Sequence, residues 1–147
     1  MRSRAFIPVS IFILIGSIGG LAAGPQEART AEYGPEVKAY LDFLRHEEAE
    51  LEFQIRHNEI PRKNYLRAKN RIAILRQKVL AVVEETGRDI VPELSVVTLS
   101  EADQLIEDGS KLVRRARPGT LFGEKWRYLG SVNRGEIFYV FERVTKR

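Results

Sequence analysis

Residues 61–86, PRKNYLRAKNRIAILRQKVLAVVEET, decide the fold. Within them Tyr65, Ala68, Ile72, Leu75, Val79 and Val82 alternate three- and four-residue steps, the seam spacing of a helix packed along another helix. Leu66, Ala73, Leu80 and Val83 widen the seam, and Ile74 lies off it altogether. A helix that is apolar on most sides at 72–75 needs more than one neighbour. Pro61 suits the first turn, where its missing N–H costs nothing, and Gly87 suits the stop.

The first neighbour lies just upstream. From Glu36 to about His57 the apolar residues Val37, Leu41, Leu44, Leu51 and Ile55 recur at helical spacing, behind Pro35 and before Asn58. The short link forces an antiparallel helical hairpin over 35–86. Its charges agree. The first helix carries Glu36, Asp42, Glu47, Glu48, Glu50 and Glu52; the second carries Arg62, Lys63, Arg67, Lys69, Arg71, Arg76 and Lys78, with no acid before Glu84. Glu48 falls in the middle of the apolar stripe, where a charge can set register. With the turn near Glu59, it is expected to pair with Lys69 or Arg71. The turn Asn58-Glu59-Ile60-Pro61, followed by Tyr65 and Lys69, resembles the hairpin of short bacterial oligomerisation domains of the SHOCT type over about fifteen residues, with Asn58 in place of their glycine.

Beyond Gly87 the pattern changes. The run 94–99 (Leu-Ser-Val-Val-Thr-Leu) reads as a strand. Ser100 with Asp103 looks like a capping box opening a short helix, with Gly109 as its end. Residues 126–132 and 136–144 read as strands joined at Asn133-Arg134-Gly135. Ile137 to Phe141 is continuously apolar, as in a strand covered on both faces. The expected fold class is α+β: the hairpin packed with a small C-terminal β-α-β-β antiparallel sheet over 87–147, residues 24–147 forming one globular domain.

The N-terminus supplies an address. Arg2 and Arg4 precede an apolar run over 5–21 and the small residues Ala22, Ala23 and Gly24. These are the parts of a secretory signal, and the run is also nearly long enough to span a bilayer. Residues 1–23 therefore read as a signal peptide or an uncleaved membrane anchor, with a linker at 24–34. The expected location is the periplasm or the extracytoplasmic face of the membrane. The net charge of +4 falls to +2 without Arg2 and Arg4. The absence of cysteine excludes disulfides, thiolate metal sites and a lipidated cysteine.

Chemistry-bearing motifs are sparse. His46-Glu47-Glu48-Ala49-Glu50 comes near a zinc-protease helix, but Glu50 stands where the second histidine belongs. His46 and Glu50 are therefore weak metal candidates, and a carboxylate- or metal-dependent envelope hydrolase is the enzymatic alternative. Residues 134–141 partly match the RNA-recognition strand pattern, but Glu136 replaces the first stacking aromatic, so no nucleic-acid partner is expected. No phosphate loop, nucleophile elbow or dinucleotide fingerprint is present, and no cofactor is expected. Trp126 and Tyr128 share one side of a strand and read as core.

What remains points to a non-catalytic interaction or structural module. Its partner is expected to be a protein, or a second copy meeting the seam of Leu41, Leu44, Tyr65, Ile72, Leu75, Val79 and Val82. An anionic membrane surface or polymer is the alternative partner. It would meet Arg67 and Lys78 of the basic helix, or the cluster Arg114, Arg115 and Arg117.

Overall fold

The structure is a computed structural model and describes residues 33–145. The expected signal or anchor at 1–23, and most of the linker at 24–34, lie outside those residues. The fold is α+β, with two long helices, α1 (Pro35–Arg56) and α2 (Arg62–Thr86). A four-stranded antiparallel sheet follows: β1 (Leu94–Thr98), β2 (Leu121–Phe122), β3 (Trp126–Asn133) and β4 (Ile137–Arg143). Two single-turn helices, α3 (Ala102–Leu105) and α4 (Gly109–Leu112), lie between β1 and β2.

The helix ends follow local chemistry, with one exception. Asn58 takes the left-handed φ of 56° that lets the chain leave α1, and Gly87 closes α2 at φ 63° with its N–H on Val83 O at 2.8 Å. At the start of α1, however, Gly34 has no side chain to offer as a cap. Asp89 supplies one from beyond the end of α2, accepting the N–H groups of Glu36 and Val37 at 2.9 Å each. A carboxylate there satisfies two orphan donors and faces the positive end of the helix dipole. A Cβ on Gly34 would lie 2.2 Å from Asp89 Cγ, so the glycine makes room for the cap.

The strand order is β1-β4-β3-β2, which puts β4 inside the sheet. Its alternate residues feed two cores. Phe138 and Val140 join Leu94 and Val96 of β1, Val37, Leu41 and Leu44 of α1, and Ile72, Ile74, Leu75 and Val79 of α2. Tyr139 and Phe141 join Tyr128, Ala102 and Val113 in a second cluster, with Phe122 and Trp126 at its edge. Ile74, off the helical seam, is fully buried, so the sheet is the second neighbour that α2 requires. Phe138 to Phe141 are covered on both faces as expected, while Ile137 is 48% exposed.

A bulge keeps β3 in step. Tyr128 pairs with Phe141 and Gly130 with Val140, leaving Leu129 as an extra residue. Strict alternation would turn Val132 to the same face as Tyr128. The extra residue reverses that, and both Leu129 and Val132 pack on the helix-side core.

Two local expectations are corrected. The capping box is Thr98 with Glu101, not Ser100 with Asp103: Glu101 accepts the Thr98 N–H at 2.9 Å. Asp103 instead accepts the N–H and hydroxyl of Ser110, each at 2.8 Å. The single helix of the β-α-β-β unit is broken, because Asp108 takes a left-handed φ of 54°. Gly109 opens α4 instead of ending a helix. It is buried so closely that a Cβ would stand 2.2 Å from Ala102 O. The two-residue strand β2 was not expected at all.

Neighbouring positions on β4 should respond very differently. Phe138→Ala should cost about 3–5 kcal/mol in urea denaturation through a cavity in the helix-side core. Ile137→Ala should stay within about 0.5 kcal/mol. Similar losses at both sites would contradict the two-core assignment.

Candidate functional site

Four of the seven cations of α2 divide between two partners. Lys69 Nζ reaches Glu52 of α1 at 2.8 Å, and Arg76 reaches Glu48 at 2.9 Å. Arg67 holds Glu136 through two hydrogen bonds of 2.9 and 2.6 Å, and Arg71 holds Glu101 at 2.6 Å. Asn70 Nδ2 adds a bond to Arg134 O in the β3–β4 turn. The expected Glu48–Lys69 or Glu48–Arg71 pair is thus corrected to Glu48–Arg76. At about 100° per residue, Arg71 lies about 200° around the helix from Lys69 and faces the sheet side instead of α1.

Two of these carboxylates are shifted. Hydrogen bonds from Lys69 and then Tyr65 hold the Glu52 carboxyl below its ordinary value, and Lys69 is raised by the same bond. At Glu101 partial burial works against the charge. The Thr98 N–H and then the charge of Arg71 outweigh it, so this carboxyl also lies below its ordinary value. Arg71 Nε is buried without a partner, which offsets part of the gain from the pair. These are bridges between elements, built like structural ion pairs.

The metal candidates are not brought together. His46 Nδ1 contacts Asp42 O at 2.7 Å on an exposed turn, and His57 Nδ1 contacts Phe53 O in the same way. Among the described residues no group of three His, Cys, Asp or Glu side chains is placed to hold a metal ion. The seam residues Leu41, Leu44, Ile72, Leu75 and Val79 are no free surface either: all five are buried in the helix-side core, and Tyr65 and Val82 are half-buried. A second copy could reach them only by displacing the sheet.

Two grooves open on the sheet unit. The larger, about 600 Å³, lies among Lys63, Arg67, Ser100, Asp103, Ser110 and Glu136. Its acids are already engaged, Glu136 by Arg67 and Asp103 by Ser110. The smaller, about 320 Å³, lies on the outer layer among Leu105, Ile106, Leu112, Phe122, Lys125 and Trp126, with Glu107 on its wall. Leu112 is 44% exposed, while Leu121, 55% exposed, pairs with Arg127 and so lies on the face opposite Phe122 and Trp126.

Arg114, Arg115 and Arg117 follow α4 in the chain, exposed and without a salt bridge among the described residues. Residues 105–126 hold five Lys and Arg against three Asp and Glu, an excess of +2. Residues 127–147 hold a further +3 and residues 24–104 a net −3, so the basic surplus lies in the chain after residue 104. Of the other candidate anion contacts, Arg67 is committed to Glu136 and Lys78 is half-buried. The sequence marked the arginines by their density. It did not mark Leu112, whose exposure depends on how thinly the short helices cover the sheet.

No family model, curated protein or solved structure matches the chain.

The Arg71–Glu101 bridge has a pH signature. Because the folded Glu101 value is lowered, its contribution is complete above the unfolded carboxylate value, near about 4.3. It is lost as pH falls through the folded value. Glu101→Gln should therefore flatten the acid limb of the stability profile. A double-mutant cycle on Arg71 and Glu101 should give a coupling of about 1–2 kcal/mol, while one on Glu48 and Lys69 should give about none.

Proposed function

We propose that this chain is an exported or membrane-anchored module of the cell envelope that works through its surface and not by catalysis. In this reading the helical hairpin packed on the sheet is one rigid body, carried behind the N-terminal signal or anchor. The observation that carries it is the use of the charged side chains. Glu48, Glu52, Glu101 and Glu136, which could have served as acids or bases in a cleft, are each bonded to a cation of α2. The carboxyls of Glu52 and Glu101, held below their ordinary value, are poor proton donors near neutral pH.

The partner class is the next question. A helical seam open to a second copy is disfavoured by its burial, so self-association would use another face. Exposed Phe43 and Phe53 on α1 offer modest apolar area among acidic residues. The alternative reading, a binder of anionic lipid or polymer, moves from the basic helix to the outer layer of the sheet, where the unpaired arginines stand.

The address is tested by fractionating cells and measuring the intact mass of the protein. Export predicts either a mass starting near Ala23 in the soluble extracytoplasmic fraction or an intact Met1 start in the membrane fraction. A full-length product in the cytosol would overturn the reading.

A further inference from the structure

We propose that the outer layer of the sheet docks on an anionic bilayer surface, with Leu112 and the edge of Trp126 entering the interfacial zone and Arg114, Arg115 and Lys125 meeting lipid phosphates. This rests on the reading that the chain works at the envelope, and it names the surface it meets there.

The argument begins with what the fold leaves uncovered. β4 is apolar on both faces, so the outer face needs a cover. That cover is two single-turn helices and a loop. Val113 turns inward and is 2% exposed, while adjacent Leu112 turns outward onto the groove that holds Trp126 and Lys125. Arg115 lies one turn on, its N–H bonded to Leu112 O at 3.2 Å, and it is exposed. Apolar side chains flanked by unpaired cations form the pattern of an interfacial contact, in which apolar insertion and attraction to acidic headgroups add.

Charge complementarity selects the occupant. Residues 105–126 carry an excess of +2, with Arg114, Arg115 and Arg117 exposed, and a surface potential of negative sign attracts such a stretch. The opposing charges are few: Glu107 lines the groove, Asp108 lies 3.6 Å from Lys111, and Glu124 sits beside Lys125 in sequence. A tryptophan at the rim, apolar in body and polar at the indole N–H, suits the headgroup level.

Trp126 is the sole tryptophan, so it reports this face alone, whatever the N-terminal segment does. The full chain is reconstituted in nanodiscs of phosphatidylcholine, or of phosphatidylcholine with phosphatidylglycerol, using plain or acyl-brominated lipids. Bromine should quench Trp126 in the anionic discs and much less in the neutral ones. The quenching should fade at about 1 M salt, where the screening length is about 3 Å. Arg114→Glu and Arg115→Glu should each weaken docking about fivefold or more. Leu112→Asp should reduce quenching while the cations remain.

Trp126 emission indifferent to brominated anionic lipid would overturn the proposal. So would equal quenching in neutral discs that ignores salt and both arginine variants. Emission that shifts with an acidic polypeptide but not with lipid would assign the face to a protein partner instead. The salt series needs no variant, so a misfolded mutant would not blur the result. The mass and fractionation experiment judges the envelope reading separately.

Discussion

Covering α2 on two sides is the constraint from which the rest of the structure follows. Its seam residues and Ile74 point in different directions, yet Ile72, Ile74, Leu75 and Val79 are all buried. One helix can cover only one flank of another. The sheet must therefore present an apolar face to α2, and Leu94, Val96, Phe138 and Val140 provide it. Burying large side chains such as these contributes about 1.5–3 kcal/mol each, offset by the entropy of ordering them. That choice in turn fixes the register of β4 and the need for the Leu129 bulge. Without the extra residue Val132 would face away from the helices.

The ion pairs are consequences of this packing and not its cause. Exposed pairs contribute under about 1 kcal/mol each, too little to drive assembly. They select among arrangements. Lys69 and Arg76 fit the hairpin only in one alignment with Glu52 and Glu48. Arg67 and Arg71 fix α2 over the β3–β4 turn and the end of β1. Glu101 serves twice, capping the turn after Thr98 and receiving Arg71, so one carboxylate ties the sheet to the helix. Asp89 acts comparably at the other end, joining the chain after α2 to the start of α1.

The parts legible in the sequence were those set by short-range chemistry. Both helices, their Asn58 and Gly87 exits and three of the four strands follow from periodicity and turn residues. The illegible parts depend on contacts between distant residues or on side-chain direction. Asp89 caps a helix that begins 54 positions earlier, and nothing near Gly34 announces it. Glu48 was matched by counting back from the turn, a method that ignores which way Arg71 points. The Ser100–Asp103 box fits the pattern, but Thr98 and Glu101 fit it as well, and Glu101 gains Arg71 besides. For the candidate surface, the basic cluster was visible, whereas exposed Leu112 was not. Its burial depends on how much sheet two short helices can hide.

The two faces of the sheet thus differ in how completely they are finished. On the helix side, forty-seven helical residues in α1 and α2 cover the apolar strands, and four cations of α2 are matched by acids. On the outer side, eight residues in α3 and α4 do the covering, and Arg114, Arg115 and Arg117 have no salt bridge among the described residues. A thin cover is costly if it only exposes a leucine to water, at about 25 cal/mol per Å² of apolar surface. The same exposure becomes useful when the surface meets an apolar phase bordered by negative charge. Interfacial contact uses both departures from a closed surface at once, and a fold with a finished outer face would offer neither.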